Sequence, residues 1–158
     1  REAVFNILSS KLAGDWAACD MLDVFAGTGA VGLEALSRGV RSVTLLDVNL
    51  QTARRNAALF AKEKDRISLI SADASRLPPA PRQYNLVFLD APYNKGLSVA
   101  ALQSLAGQGW LAEDALVLVE LEKNEPLEME SIPFFEQVDE RRYGLARVVF
   151  LHFLPAKK

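Results

Sequence analysis

Short apolar runs alternate with segments of helical spacing along most of the chain, and this alternation constrains the fold more than any other feature. Residues 21–26 form an apolar run that ends in Gly27-Thr28-Gly29, and a helical pattern then continues to Gly39. The pattern recurs, with predicted strands at Ser42–Asp47, Ile67–Ser71, Tyr84–Leu89 and 115–121 and predicted helices at 4–12, 50–62 and 99–105. Such alternation is typical of a parallel sheet with helices on both faces.

The last part of the chain has a different pattern. Residues 135–142 and 146–154 are rich in β-forming residues and flank Tyr143-Gly144, which predicts an antiparallel hairpin. The predicted fold class is therefore α/β and Rossmann-like, with a mostly parallel seven-stranded sheet, a C-terminal antiparallel hairpin and helices on both faces. Because we find no repeat and no linker, we expect residues 1–158 to form one domain.

Composition excludes several classes of function. A chain with one cysteine, Cys19, and one histidine, His152, has no internal disulfide and no Cys/His metal site. No apolar run approaches the ~20 residues that span a bilayer, and no signal-peptide pattern is present, so we expect a cytoplasmic protein without a membrane partner. The net charge of −2 does not attract a polyanion, so any RNA-binding surface must be local.

Acidic or glycine-rich residues follow each of the first four predicted strands, at residues 23–29, Asp47, Asp73 and Asp90. The carboxyl ends of parallel strands meet at one edge of a sheet, and ligands bind there near the switch in strand order. One such acid is easily a helix cap or a turn residue, whereas four at one edge indicate a binding site.

The first of these positions is a glycine-rich turn. Residues 27–32 match G-x-G-x-x-G, in which glycines allow a tight turn and a close approach to a nucleotide cofactor. Asp47, 20 residues beyond Gly27, suits the ribose hydroxyls of either a dinucleotide or S-adenosylmethionine. Asp73 favours S-adenosylmethionine, since it is placed to accept from the adenine amino group with the Ala74 N–H near the ring; alternatively, it caps a short turn at 74–77.

Asp90-Ala91-Pro92-Tyr93 is the most informative stretch. An exocyclic amine on a base is a poor nucleophile because its lone pair is delocalised into the ring. The Asp90 carboxylate and the Ala91 carbonyl can accept hydrogen bonds from the amino hydrogens and stabilise the positive charge that develops on nitrogen. Pro92 stiffens the loop, and Tyr93 stacks on a flipped base. The alternative is a strand end with a proline turn and a partly buried tyrosine.

Three segments together resemble a known family. Residues 23–39 (DVFAGTGAVGLEALSRG), the opening REAVFNIL and residues 88–93 (FLDAPY) look like the bacterial 16S ribosomal RNA guanine-N2 methyltransferases of the RsmD type. The similarity runs through essentially the whole chain, including Tyr143-Gly144. It implies a Rossmann-like methyltransferase that uses S-adenosylmethionine and acts on a guanine of small-subunit RNA in an assembling particle. It also implies a short basic N-terminal segment that this chain lacks, and we expect a monomer.

The resemblance assigns roles to individual residues. Gly27 and Gly29 approach the methionine part of the cofactor, Asp47 holds the ribose and Asp73 the adenine. The complete predicted cofactor set is Asp23, Phe25, Gly27, Thr28, Gly29, Asp47, Val48, Asp73, Ala74 and Asp90. The predicted catalytic set is Asp90, Ala91, Pro92 and Tyr93, and no metal is expected.

Two residues depart from the family pattern, and other functions stay open. The family usually has Asp-Pro-Pro-Tyr where this chain has Ala91, and often Glu where it has Asp47. The tetrapeptide also suits adenine-N6 methylation of DNA or RNA. The glycine turn leaves open a nicotinamide-dependent oxidoreductase, and a non-catalytic RNA-binding module is a third alternative.

Overall fold

The computed structural model describes residues 2–93 and 95–154. Within them the helices are α1 Glu2–Lys11, α2 Ala30–Ser37, α3 Gln51–Ala57 and α4 Leu97–Gly107. The strands are β1 Asp20–Val24, β2 Ser42–Asp47, β3 Ile67–Ser71, β4 Tyr84–Leu89, β5 Leu111–Glu122, β6 Phe135–Tyr143 and β7 Ala146–Phe153. Short 3₁₀ segments cover Trp16–Ala18, Ala58–Arg66 and Met129–Ser131.

The seven strands form one sheet in the order β3-β2-β1-β4-β5-β7-β6. Strands β1 to β5 pair in parallel, whereas β7 runs antiparallel to both β5 and β6. This is the predicted Rossmann-like sheet with a C-terminal hairpin. Strand order reverses at β1, which lies between β2 and β4, and Val24 at the end of β1 is in register with Leu89 at the end of β4. The residues that follow β1 and β4 therefore lie next to one another.

Two apolar cores cover the two faces of the sheet. On one face Ala101, Leu102 and Leu105 of α4 pack against β1, β4 and β5. On the other face, α1 and α2 pack against the alternate side chains of the same strands. All five residues of β1 are buried, as expected for a strand with helices on both sides.

The predicted hairpin is confirmed. β6 and β7 are joined through Gly144 and Leu145, and Gly144 has a positive φ of 60°. Left-handed backbone of this kind is favourable for glycine, which has no Cβ to clash with the preceding carbonyl.

The prediction of one helix over residues 50–62 was wrong in its second half. The α-helix ends at Ala57, and Ala58–Arg66 continues as 3₁₀ turns with a non-helical Phe60 at φ −106° and ψ 47°. No residue of Ala58–Arg66 is buried. Short helices depend on tertiary packing, and Phe60 packs against the core while only partly buried, so the core gives little support to a longer α-helix there.

The predicted strand at 115–121 is longer in the structure, because β5 already begins at Leu111. Its pairing with β4 shifts between Tyr84 and Leu86, and Asp114 within it has a φ of 62°. The irregularity accommodates extra residues on one strand, as a β-bulge does. An apolar pattern cannot predict such a register shift, because Glu113 and Asp114 interrupt the apolar run at the irregularity.

Candidate active site

The turn after β1 combines three left-handed residues within five positions. Phe25, Gly27 and Gly29 have φ values of 60°, 56° and 81°. A Cβ on Gly29 would lie 2.9 Å from Leu45 Cδ1, whereas a Cβ on Gly27 would meet nothing within 4 Å. Gly29 is therefore needed for packing as well as for backbone conformation, and Gly27 leaves open space above the turn.

Asp23 supports this turn from below. Its side chain is buried, and Oδ2 accepts a hydrogen bond of 2.9 Å from the N–H of Gly32. A Cβ on Gly32 would lie 2.5 Å from Leu45 Cδ2 and 3.2 Å from Asp23 Oδ2. The structure thus places Asp23, a predicted cofactor residue, beneath the first turn of α2, where its described hydrogen bond ties β1 to that helix.

Asp47 lies directly against the glycine turn. Its Oδ2 accepts a 2.8 Å hydrogen bond from Gly27 N–H, and its Oδ1 accepts a 2.7 Å bond from Val48 N–H. Val48 itself is 67% exposed. The two predicted residues therefore lie at the edge that the sequence indicated, and a carboxylate with two accepted bonds still has acceptor capacity for a ligand.

Thr28 and Asp73 both make local capping contacts. The Thr28 hydroxyl accepts a hydrogen bond of 3.3 Å from Ala30 N–H. The backbone carbonyl of Thr28 accepts a second bond, of 2.9 Å, from Asn56 Nδ2. Asp73 Oδ1 accepts bonds from the Ser75 N–H at 2.9 Å and the Ser75 hydroxyl at 2.7 Å, and these bonds lower the pKa of the Asp73 carboxyl. The capping arrangement that the sequence allowed for Asp73 is therefore present.

An open cleft of about 440 Å³ lies beyond the carboxyl ends of the central strands. It is lined by the four predicted catalytic residues, by two further residues of the predicted cofactor set and by one residue of neither set: Asp90, Ala91, Pro92, Tyr93, Phe25, Asp47 and Glu120. The N–H of Asp90 donates to the Val24 carbonyl at 3.4 Å, which holds the start of the catalytic loop beside the end of β1. Ala91 is buried, whereas Tyr93 is 42% exposed. A large ring that is partly open to solvent can stack on a ligand.

Glu120, on β5, is the site residue that sequence reasoning missed. Leu89 is in register with Val119, so Asp90 and Glu120 follow neighbouring positions of paired strands. The Tyr93 hydroxyl donates to Glu120 Oε2 at 3.4 Å. In the sequence Glu120 begins a charged stretch that runs to Glu125, but it also lies near the end of an apolar strand, the same feature that indicates Asp47 and Asp90.

The environment of Asp90 disfavours its charged form. Burial raises the pKa of the Asp90 carboxyl to about 7, and the charge of Glu120 and a side-chain hydrogen bond to it act in the same direction. The residue as a whole is exposed at the cleft mouth. Burial and Glu120 also raise the pKa of the Tyr93 hydroxyl. A carboxyl group that gains and loses a proton near neutral pH is suited to accept one from a substrate amine.

Sequence comparison identifies the family. The model of the family described as conserved hypothetical protein 95 matches residues 1–152. The chain belongs to this family.

The relatives of this chain include ribosomal RNA small subunit methyltransferase D from Escherichia coli. The two are 36% identical over 126 residues, which cover 77% of this chain and 61% of the relative. The match thus spans less than two thirds of the relative's length.

Solved structures agree with the sheet topology. A methylase candidate from Haemophilus influenzae has a TM-score of 0.84 at 27% identity, and the match covers 97% of this chain and 98% of that one. The N-methyltransferase NodS from Bradyrhizobium japonicum, in complex with S-adenosylhomocysteine, has a TM-score of 0.71 at 14% identity, with 97% and 86% covered. The second likeness concerns the fold alone, which is that of Rossmann-like methyltransferases.

The described residues contain neither a metal cluster nor a membrane-spanning helix. Among residues 2–93 and 95–154, no group of three or more His, Cys, Asp or Glu side chains is arranged to hold a metal ion. Within the same residues no helix has both the length and the apolar character to cross a bilayer.

Proposed function

We propose that this chain transfers a methyl group from S-adenosylmethionine to the exocyclic N2 of a guanine in 16S ribosomal RNA. The observation that carries the proposal is the cleft in which Asp90, Ala91 and Tyr93 face Phe25 and Asp47. The methyltransferase relatives and the RsmD-type resemblance support the reaction, and the tetrapeptide supports an amino group as its acceptor.

The residues around the glycine turn fit S-adenosylmethionine. The open side of Gly27 leaves room for the methionine part, and the Asp47 carboxylate has capacity to accept ribose hydroxyls beside the exposed Val48. Asp73 and the N–H of Ala74 would hold the adenine, with the Ser75 bonds fixing the Asp73 carboxylate in place. Phe25, Thr28 and Gly29 would shape the turn, and Asp23 would hold it from below.

The chemistry of the corner follows from its acceptors. S-adenosylmethionine, when bound, supplies an electrophilic methyl group on a sulfonium. Asp90 and the Ala91 carbonyl would accept hydrogen bonds from the two amino hydrogens, which favours the pyramidal amine and stabilises its developing positive charge. The Asp90 carboxylate would then take the proton that the methylated nitrogen releases. Pro92 would limit loop motion, and Tyr93 would stack on the base.

The decisive test replaces Asp90. The Asp90→Ala variant should lose transfer of labelled methyl groups to small ribosomal subunits that lack the modification, while calorimetry should show nearly unchanged binding of S-adenosylhomocysteine. Asp65→Ala is the matched control, because Asp65 is an exposed residue just before β3, at the opposite edge of the sheet. Retained turnover in Asp90→Ala would refute the assignment. Tight binding of NAD without binding of S-adenosylhomocysteine would favour the oxidoreductase instead.

The proposal extends to the setting of the reaction. We infer a monomer in the cytoplasm whose residues 1–158 act as one methyltransferase domain on an assembling small subunit. Since the chain has a net charge of −2, the RNA must be recognised by local features of the cleft and its rim. Comparing naked 16S RNA with partly assembled subunits as substrates tests this setting, and sedimentation tests the monomer.

A further inference from the structure

A second cavity, of about 330 Å³, lies behind the catalytic corner. Asp90 and Glu120 line both this cavity and the open cleft, so the two spaces meet at these carboxyl groups. The other walls are mostly apolar and come from α1, β4 and β7, for example Phe5, Phe88 and Val148. A flat, largely apolar ligand with a polar edge would suit such a space.

Tyr143, at the end of β6, contributes the remaining polar group. Its hydroxyl oxygen is buried and has no hydrogen-bond partner within the part of the chain that the structure describes. Tyr143 lines the cavity together with Glu120. Leaving a buried hydroxyl unpaired is costly, so an orphan hydroxyl in a cavity wall indicates a ligand that supplies the missing bond.

Strand pairing arranges the three polar groups in a row. Asp90 follows β4, Glu120 lies on β5 next to it, and Glu120 is in register with Val148 on β7. Tyr143 is in register with Ala146, also on β7, and Ala146 lines the same cavity. Because the residue of β6 in register with Val148 is Arg141, Tyr143 is offset by two positions, and the row runs diagonally across the sheet from the amine-activating carboxyl through a second carboxyl to a hydroxyl.

We infer that Glu120 and Tyr143 read the Watson–Crick edge of the target guanine. This inference rests on the proposed function and names the groups that select the base. Guanine presents N2–H, N1–H and O6 in sequence along that edge. Asp90 takes N2–H, Glu120 accepts from N1–H, and the Tyr143 hydroxyl donates to O6. The hydrogen bond from Tyr93 to Glu120 holds that carboxylate in place.

The same row rejects adenine. Adenine has no amino group at C2 to meet Asp90, and its N1 is an acceptor, so the acceptor oxygens of Glu120 would face a lone pair. A site built to bond a substrate group discriminates strongly against an analogue without it, because its own buried polar groups are left unpaired.

The test uses a base that keeps the reacting amine but changes the rest of the edge. 2-Aminopurine has the 2-amino group, lacks O6, and has an acceptor at N1. Semi-synthetic 16S RNA carrying either guanosine or 2-aminopurine riboside at the mapped target is assembled into subunits, and kcat/KM is measured for both. The unsubstituted chain should prefer guanosine by about 100-fold or more.

Two variants separate the two contacts. Glu120→Gln can donate to the N1 acceptor of 2-aminopurine, so the preference for guanosine should fall at least about tenfold. Tyr143→Phe should lower kcat/KM for guanosine about tenfold and leave that for 2-aminopurine nearly unchanged. Because Tyr143→Phe removes an unpartnered oxygen, its melting temperature should not fall, and it therefore carries the test even if Glu120→Gln folds poorly.

Asp65→Asn is the control and should keep the original preference. Equal loss on both substrates in Glu120→Gln and in Tyr143→Phe, with the preference unchanged, would overturn the inference while leaving the proposed function intact. Absence of methylation of the guanosine RNA by the unsubstituted chain would instead overturn the proposed function itself.

Discussion

Replacing Asp90 by Asn should stabilise the protein, and more so at high pH than at low pH. The folded state raises the pKa of the Asp90 carboxyl from 3.8 to about 7. A carboxyl whose pKa is higher in the folded than in the unfolded chain does not destabilise the folded state below pH 4. Its destabilising effect grows as the pH rises towards 7 and is constant above pH 7. An amide carries no charge and can also donate to Glu120, so Asp90→Asn removes this effect.

The expected magnitude follows from that rise in pKa. Taken at full strength it corresponds to roughly 4 kcal/mol, at about 1.4 kcal/mol for each tenfold change in acidity. Asp90 is exposed at the cleft mouth, so solvent screening reduces this to about 1–2 kcal/mol. For a chain of 158 residues that is a rise in Tm of about 3–6 °C at pH 8.

Thermal unfolding of both proteins at pH 5 and pH 8 measures the effect. Asp90→Asn should gain clearly more at pH 8 than at pH 5, and it should have lost methyl transfer. Asp65→Asn makes the same chemical change at an exposed site and should show no pH-dependent gain. A gain of equal size at the two pH values, or no gain at either, would show that the folded protein does not disfavour the ionised Asp90.

Three further predictions concern activity and stability. Since Asp90 must be ionised to accept a proton, kcat/KM should rise about tenfold per pH unit below pH 7 and level off above it, and a flat profile from pH 5.5 to 8.5 would contradict this. Gly32→Ala should lower the free energy of unfolding by about 1–3 kcal/mol in urea titrations, because the added Cβ would lie 2.5 Å from Leu45 Cδ2. Arg41 and Ser42 lower the pKa of the Asp20 carboxyl to about 2. The stability from these bonds is therefore present above pH 4 and lost as the pH falls towards 2, so Asp20→Asn should cost about 1–2 kcal/mol in unfolding at pH 7 and nothing near pH 2.

The parallel strands could be predicted because burial on both faces leaves a direct trace in the sequence. β1 is wholly buried, and its apolar residues Met21, Leu22 and Val24 face both sides of the sheet; an acid at the end of β2 and another after β4 mark where those strands end. The kink at Phe60 could not be predicted in the same way. Helical spacing indicates which residues of a helix face the core. The length of the α-helix depends on how well the core supports it, and none of Ala58–Arg66 is buried.

The site could be predicted to a similar extent. Because the carboxyl ends of parallel strands meet at one edge of a sheet, the sequence predicted that Asp47, Asp90 and Tyr93 lie together, and the structure places all three in one cleft. The same rule applied to β5 indicates Glu120, but the charged residues that follow it obscure the end of the apolar strand. Tyr143 marked the hairpin in the sequence but not the site, because its relation to Glu120 arises only from the pairing of β6 and β7 with β5.

The central claim is methylation of guanine N2, and identification of the modified nucleoside tests it most directly. Small ribosomal subunits that lack the modification are incubated with the chain and labelled S-adenosylmethionine, and the 16S RNA is digested to nucleosides and separated. The label should be in N2-methylguanosine at a single position. Label in N6-methyladenosine, or in no nucleoside while S-adenosylhomocysteine still binds, would contradict it.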